Sequence, residues 1–503
     1  MIQPTLFAGC EPEVAAGVDG RILAVGEGAR SAAGRKAEVV RVRGTAWPGL
    51  IDAHIHLEGL AERHLTLDLT GTASLDEALA RIRSWSTRLP DEEWVAGAGW
   101  YNDVWPDPAF PTRRRLDEAA GGRPAYLRRK DGHSAWVSSA ALKQAGIDRS
   151  SPDPPGGRID RDKRGEPTGI LRETAMRLVF DQVPRPDEAQ LDDAMARALA
   201  ELARLGLTAV HSMDSARGIA SWQRLRARGQ LPVRISYNLP LDDLPHAERM
   251  GVRSSWGDGW IRIWGVKAFL DGSLGSRTAE MLDGSGTPRL SQADLVDLVD
   301  RCARAELNVC LHAIGDGAVR RALDALARHR GAWKLWRPRI EHAQCVDPKD
   351  MKRFARVGVI ASMQPIHAVA DRELVDQYWP QVAGHAYAWR ALARAGARLA
   401  FGSDAPVETA DPLAGIEAAT VWRRQVGWHP ELAVSRAAAL RAYTAGAAYA
   451  VGMEKDLGAL RPGKLCDITM VDESGVVATI VGGKVSFLRT PLLASRPSSA
   501  KTR

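Results

Sequence analysis

Six residues carry the chemistry that this chain offers to a first reading: His54, His56, Lys267, His312, His342 and Asp404. His54 and His56 close the stretch Pro48-Gly49-Leu50-Ile51-Asp52-Ala53-His54-Ile55-His56, a mostly small and apolar run that reads as a buried strand. Side chains alternate along a strand, so two histidines one residue apart point the same way. Imidazoles placed side by side at a strand end can hold one metal ion. The other four residues also fall at the ends of apolar runs. Lys267 lies in Ile263–Phe269, His312 ends Asn308–His312, His342 follows Pro338-Arg339-Ile340-Glu341, and Asp404 follows Leu399-Ala400-Phe401-Gly402-Ser403. Each has a plainer reading alone: a strand-end histidine can be a satisfied hydrogen-bonding group, and Gly-Ser-Asp can be a turn or a helix cap. The lysine is harder to dismiss, because an unpaired ammonium inside a fold is costly. Together the six are far more specific than any one of them. Cys310 shares the strand face of His312 and reads as a small core residue, not a thiolate ligand. His211 reads as packed.

These residues need a scaffold that gathers strand ends. Strands are expected at Thr208–Ser212, Val233–Asn238, Ile263–Phe269, Asn308–His312, Arg339–His342, Val359–Met363 and Arg398–Gly402, which with the His54 strand makes eight. Amphipathic helices fall between several of them, including Gln190–Leu205 and Leu295–Ala305. Eight alternating units predict an α/β fold of the (β/α)8, TIM-barrel type, in which catalytic groups collect at the C-terminal strand ends. A doubly wound open sheet is the alternative. The interval from His56 to Val210 is 154 residues, whereas one βα unit needs about 30. A subdomain of α/β character is therefore expected to be inserted after the first strand, over residues 57–185. Trp100, Trp105 and Trp136 read as its core, with an apolar pocket as the alternative.

Both chain ends are β-rich. Ile22–Val25 follows a turn at Val18–Arg21, and Val476–Val481 and Lys484–Leu488 flank Gly482-Gly483 as in a hairpin. Residues 1–47 and 457–490 are thus expected to form one composite β-sandwich domain beside a barrel of residues 48–456, with residues 494–503 as a disordered tail. The chain has 503 residues, a formal charge of +7 spread over 68 basic and 61 acidic side chains, and no concentrated basic patch, which argues against a nucleic-acid partner. No apolar run is long enough for a membrane span. Five scattered cysteines and no visible signal peptide point to a cytoplasmic protein with reduced thiols.

The set of motifs resembles the amidohydrolase superfamily, and more narrowly amidohydrolase family 3, which includes N-substituted formamide deformylases. The matching stretches are Pro48–His56, Lys267–Ala279, His312–Val319, Arg339–Gln344, Ser362–Ala368 and Phe401–Val407, together with the Gly99–Leu142 region of the insert. The resemblance implies a metal-dependent hydrolase acting on a carbon–nitrogen bond other than a peptide bond. It implies two zinc ions, with His54, His56 and Asp404 on one, His312 and His342 on the other, and Lys267 bridging them as a carbamate. A metal-activated hydroxide would attack, and Asp404 would move the proton to the leaving group. His133, Arg277, Gln364 and His367 are the candidate contacts to a small-molecule substrate, with an ion pair to Asp271 or Glu280 as the plainer role of Arg277. Esterase or deaminase chemistry at the same site, or an inactive scaffold of the same fold, are the alternatives. A homodimer is among the assemblies the resemblance allows.

Overall fold

The computed structural model describes residues 3–90, 93–130, 134–154, 157–275 and 277–489. His133 and the 494–503 tail lie outside the described residues. The chain divides into two compact units, one of Met1–Leu60 with Met195–Arg503 and the other of Ala61–Ala194.

The larger unit is built on eight parallel strands in chain order: β1 (Leu50–Ile55), β2 (Leu207–Ser212), β3 (Arg234–Pro240), β4 (Ile261–Phe269), β5 (Asn308–Ala313), β6 (Arg339–His342), β7 (Ile360–Met363) and β8 (Arg398–Phe401). Every residue of β1, β2, β5, β6 and β7 is buried, as expected where helices cover the outside and side chains fill the inside. The first and last strands come back together just past their ends. Asp404 N–H donates to His54 O at 2.8 Å, and His56 N–H donates to Ala405 O at 2.8 Å. The eight strands thus form a near-closed barrel of the TIM type, and two of the polar residues sit where it meets itself.

Local sequence explains the crossovers. Between β4 and β5, helix Gln292–Arg304 starts at Ser291, whose side chain accepts from Asp294 N–H, and it buries Leu295, Leu298, Val299 and Cys302 along one stripe. Between β6 and β7, Asp347 caps helix Pro348–Val357, and Gly358 ends it at φ +86°, a left-handed conformation that glycine adopts without a Cβ penalty.

A second sheet in this unit has seven strands, ordered Lys484–Leu488, Gly475–Val481, Ile468–Asp472, Glu38–Pro48, Thr5–Glu11, Val14–Ala16 and Ile22–Val25. Strand Glu38–Pro48 runs parallel to Thr5–Glu11 and antiparallel to Ile468–Asp472, so it joins the two chain ends. Phe7, Val14, Ile22 and Val40 share one core with Ile468, Met470, Ala478 and Ile480. Only Gly49 separates this strand from β1.

The smaller unit contains a six-stranded sheet ordered Gly157–Arg161, Pro167–Glu173, Ser134–Val137, Ala125–Arg129, Val95–Trp100 and Leu67–Asp68. Trp100, Trp105 and Trp136 are buried in its core. Their indole N–H groups donate to Leu127 O, Thr72 O and Thr112 O, which lets these large side chains be buried without an unpaired donor. Among the described residues no helix is long and apolar enough to cross a membrane.

Candidate metal centre

His54 lies inside β1, and its ring orientation is imposed from β6. Its Nδ1 is 2.7 Å from Glu341 Oε2, with both side chains fully buried. Glu341 in turn accepts from Arg339 Nε at 2.7 Å and Arg339 Nη2 at 2.9 Å. The guanidinium also donates to Ser362 Oγ at 2.8 Å and to Ala53 O, and its Nη1 lies 2.9 Å from His211 Nδ1. Burial would raise the Glu341 carboxyl, but the Arg339 charge and the His54 contact outweigh it and hold it well below the usual range. An ionised Glu341 accepts the Nδ1 proton, which leaves the His54 Nε2 lone pair facing the barrel interior. There Nε2 meets Lys267 Nζ at 3.2 Å and Asp404 Oδ1 at 3.4 Å.

Asp404 is the hub of the cluster. Its Oδ1 is also 3.2 Å from His56 Nε2, and its Oδ2 is 3.7 Å from His367 Nε2. Burial would raise this carboxyl too, yet the surrounding imidazoles, His54 foremost, hold it well below its ordinary value. Asp404 sits at φ +61°, a region that non-glycine residues occupy rarely and often at functional sites. His342 is at φ +71°. That turn of the backbone lets His342 leave the alternation of β6, where Arg339 and Glu341 share a face.

The other histidines complete the group. The His312 ring lies 4.4 Å from the His342 ring, and the His342 ring 4.9 Å from that of His54. His312 Nε2 is 3.0 Å from Gly272 O and so carries the proton, leaving Nδ1 as the free acceptor. Burial, with the Lys267 charge behind it, pushes His312 down to about 3, and burial drives His342 well below its ordinary value, so both imidazoles are neutral. Lys267 is itself lowered by burial, and its Nζ lies 4.8 Å from the centre of the Phe269 ring.

The donor set fits a divalent cation. His312 Nδ1, His342 Nδ1 and His367 Nε2 are buried and have no hydrogen-bond partner. Each such orphan costs about 1–3 kcal/mol unless something satisfies it. Two groups have donor atoms all within 4.8 Å of one another, His54 with His56 and Asp404, and His342 with His367 and Asp404. Imidazole and carboxylate donors in a buried site suit zinc and neighbouring transition metals.

The remaining candidates fall in different places. His367 opens helix His367–Tyr378, with its Nδ1 3.4 Å from Gln344 Nε2. It stands inside the ligand cluster, closer than a pattern of strand-end residues indicates. Gln364 is buried just past β7 and donates to Ser362 O at 3.4 Å. Arg277 is exposed and lies over Tyr378 at 4.9 Å. Neither of its expected carboxylate partners is used for it: Asp271 accepts backbone N–H groups of Ile314, Gly315 and Glu280, and Glu280 pairs with Arg321 at 2.7 Å. Cys310 is packed, with Sγ 3.2 Å from Asn238 Oδ1, and burial pushes its thiol up to about 12. Glu341 and Arg339 are the functional residues that the motif reading passes over. Their signal is the period of two in Arg339-Ile340-Glu341, which sends both charges to one face of a buried strand.

The chain is similar to known proteins. The sequence profile of the amidohydrolase family matches residues 44–487. The chain is 32% identical over 445 residues to the Bacillus subtilis (strain 168) protein YtcJ, covering 84% of this chain and 83% of that one. It is 28% identical over 511 residues to the N-substituted formamide deformylase of Arthrobacter pascens, covering 94% of each. Among solved structures, an uncharacterized metal-dependent hydrolase from Pyrococcus furiosus superposes with a TM-score of 0.75 at 28% identity, covering 93% of this chain and 99% of that one. The matched stretch runs through the whole barrel and every residue of the cluster, so the chain belongs to the amidohydrolase family and is a hydrolase.

Proposed function

We propose that the protein hydrolyses a carbon–nitrogen bond other than a peptide bond, in an amide or an N-substituted formamide. The observation that carries this reading is the cluster of imidazoles around Asp404, three of whose buried ring nitrogens lack a hydrogen-bond partner. The likeness to an N-substituted formamide deformylase over 94% of the chain supports the substrate class. His54, His56 and Asp404 are assigned to one zinc ion and His312 and His342 to a second. Lys267 is assigned as their bridge. Its ammonium cannot bind a cation, but the neutral amine would add CO2 and release a proton to give a carbamate whose two oxygens share one negative charge.

Bound zinc would lower the pKa of a water molecule towards about 7 and polarise the substrate carbonyl. The protein's own residues do the rest. Asp404 presents Oδ1 to His54 and His56 and Oδ2 to His367, so Oδ2 is the oxygen placed to take a proton from the attacking water and return it to the leaving nitrogen. Glu341 fixes the ring of His54 throughout. His367 and Gln364 at the end of β7, with Arg277, are assigned to the substrate. The same reading assigns the protein to the cytoplasm. The five cysteines, all buried and unpaired, are consistent with a reducing compartment.

Zinc-loaded protein should release amine from N-formyl or N-acyl amines faster than it cleaves cyclic amides or esters in the same panel. Full activity in protein stripped with dipicolinate, or in His54→Ala, would overturn the assignment.

A further inference from the structure

Phe269 is the last residue of β4 and lies two positions past Lys267, on the same face of the strand. Its ring centre is 4.9 Å from that of His312 and 4.8 Å from Lys267 Nζ. The residues of β4 from Ile263 to Ala268 are buried, but Phe269 is 40% exposed. An open aromatic face against the ligand cluster is surface that a substrate's apolar part can cover.

The segment that follows β4 brings a charge to that face. Arg289 N–H donates to Leu270 O at 2.7 Å, which ties its backbone to the residue next to Phe269. Its guanidinium carbon lies 5.8 Å from the centre of the Phe269 ring. Arg289 is exposed, and among the described residues it has no carboxylate partner. The acids of the same segment are committed elsewhere. Asp271 accepts backbone N–H groups, Glu280 pairs with Arg321, and Asp283 accepts from the Ser285 N–H and hydroxyl at 2.9 and 2.6 Å. Arg277, the other guanidinium of the segment, rests on Tyr378 and has no described contact with the ligand cluster. Arg289 is one ring away from it. A weakly hydrated planar cation held over an aromatic face is suited to grip a carboxylate with two parallel hydrogen bonds.

We propose that Phe269 and Arg289 form the specificity site of the enzyme, taking an apolar or aromatic group on the ring and a carboxylate at the guanidinium. The substrate class is thereby an N-acyl or N-formyl compound that carries an anionic group, and the position of its scissile bond rests on the function proposed above.

The test uses two probes that differ only by a carboxylate group, N-formyl-phenylalanine and N-formyl-2-phenylethylamine, with zinc-loaded wild type, Arg289→Gln, Arg289→Lys and Phe269→Leu. Binding is read by calorimetry and turnover by amine release. Wild type should bind the carboxylate probe about tenfold more tightly, Arg289→Gln should lose that preference, and Arg289→Lys should keep part of it. Phe269→Leu should weaken both probes alike. Equal binding of the two probes by wild type, binding of neither, or a preference that survives Arg289→Gln would overturn the proposal. A preference for the carboxylate probe without turnover of either would sink the carbon–nitrogen hydrolysis reading and leave the specificity site standing. Turnover of both probes with no preference would do the reverse.

Discussion

Glu341 Oε2 stands 2.7 Å from His54 Nδ1, with neither side chain exposed, and the pair is separated by 287 positions in sequence. A buried carboxylate is thus spent on holding one imidazole. The Arg339 guanidinium makes the arrangement tolerable, because it keeps Glu341 ionised inside the barrel.

Replacing Glu341 with Gln should loosen the metal before it affects anything else. The amide can still accept the Nδ1 proton, but it loses the charge that favours that tautomer and leaves Arg339 uncompensated. Metal affinity should fall by about 10- to 100-fold, read by competition with a chromophoric chelator. Retention equal to wild type would mean that Glu341 is a packing residue and no more.

Metal removal should cost stability as well as activity. The orphaned nitrogens of His312, His342 and His367 leave the apo site with unpaired buried acceptors. Free zinc at 100 times its dissociation constant stabilises a folded protein by about 2.7 kcal/mol. Stripped protein should therefore melt lower than loaded protein, and the difference should shrink in an Asp404→Asn variant, because Asp404 belongs to both candidate donor groups. A zinc-dependent rise in Tm that is undiminished in that variant would place the ion elsewhere.

The barrel is legible in the sequence because its strands are short, largely apolar runs at regular intervals, several of them with a polar residue at or next to the C-terminal end. The strand expected at Arg339–His342 has those bounds in the structure, and β4 begins only two residues earlier than its apolar pattern suggests. What sequence periodicity cannot convey is where alternation fails. By the parity of β6, Glu341 points inward and His342 does not, yet the His342 ring lies 4.4 Å from that of His312 and 4.9 Å from that of His54, on a backbone that turns to φ +71°. The role of Glu341 is equally hidden, since it depends on a partner on another strand. His367 belongs to a helix start after β7, so strand-end logic places it near substrate without revealing its approach to Asp404.

The carbamate proposed at Lys267 has a direct spectroscopic test. Lys267 Nζ is buried 3.2 Å from His54 Nε2, and burial lowers its affinity for a proton. Protein loaded with zinc in 13C-bicarbonate should show one carbamate carbon resonance per chain, absent in Lys267→Arg. A resonance that survives the substitution would assign it to another amine.

The cysteines should be silent in the native state. All five are buried, and desolvation raises the thiols of Cys302, Cys345 and Cys466 and lifts Cys10 to about 11 and Cys310 to about 12. Only the thiolate reacts. An Ellman titration at pH 8 should find no fast thiol in the folded protein and five after denaturation. Rapid modification of any one would show a local opening of the fold.

Gly402 is where the closure of the barrel and the chemistry meet. It lies between β8 and Asp404, and a Cβ there would sit 2.5 Å from His54 N, 2.6 Å from Asp52 Oδ1 and 3.1 Å from Ala53 N. The need is for close approach of two backbones and not for an unusual dihedral, since Gly402 is not among the positive-φ glycines. Two of the three atoms are main chain, so β1 must move if a methyl is added. Gly402→Ala should destabilise the protein by about 1–3 kcal/mol. Because the displaced strand carries His54, and Asp404 N–H is bonded to His54 O, the variant should also hold metal less tightly. Denaturant unfolding and metal content on the same preparation check both effects. A variant that loses stability but keeps wild-type metal affinity would show that β1 yields away from the ligands.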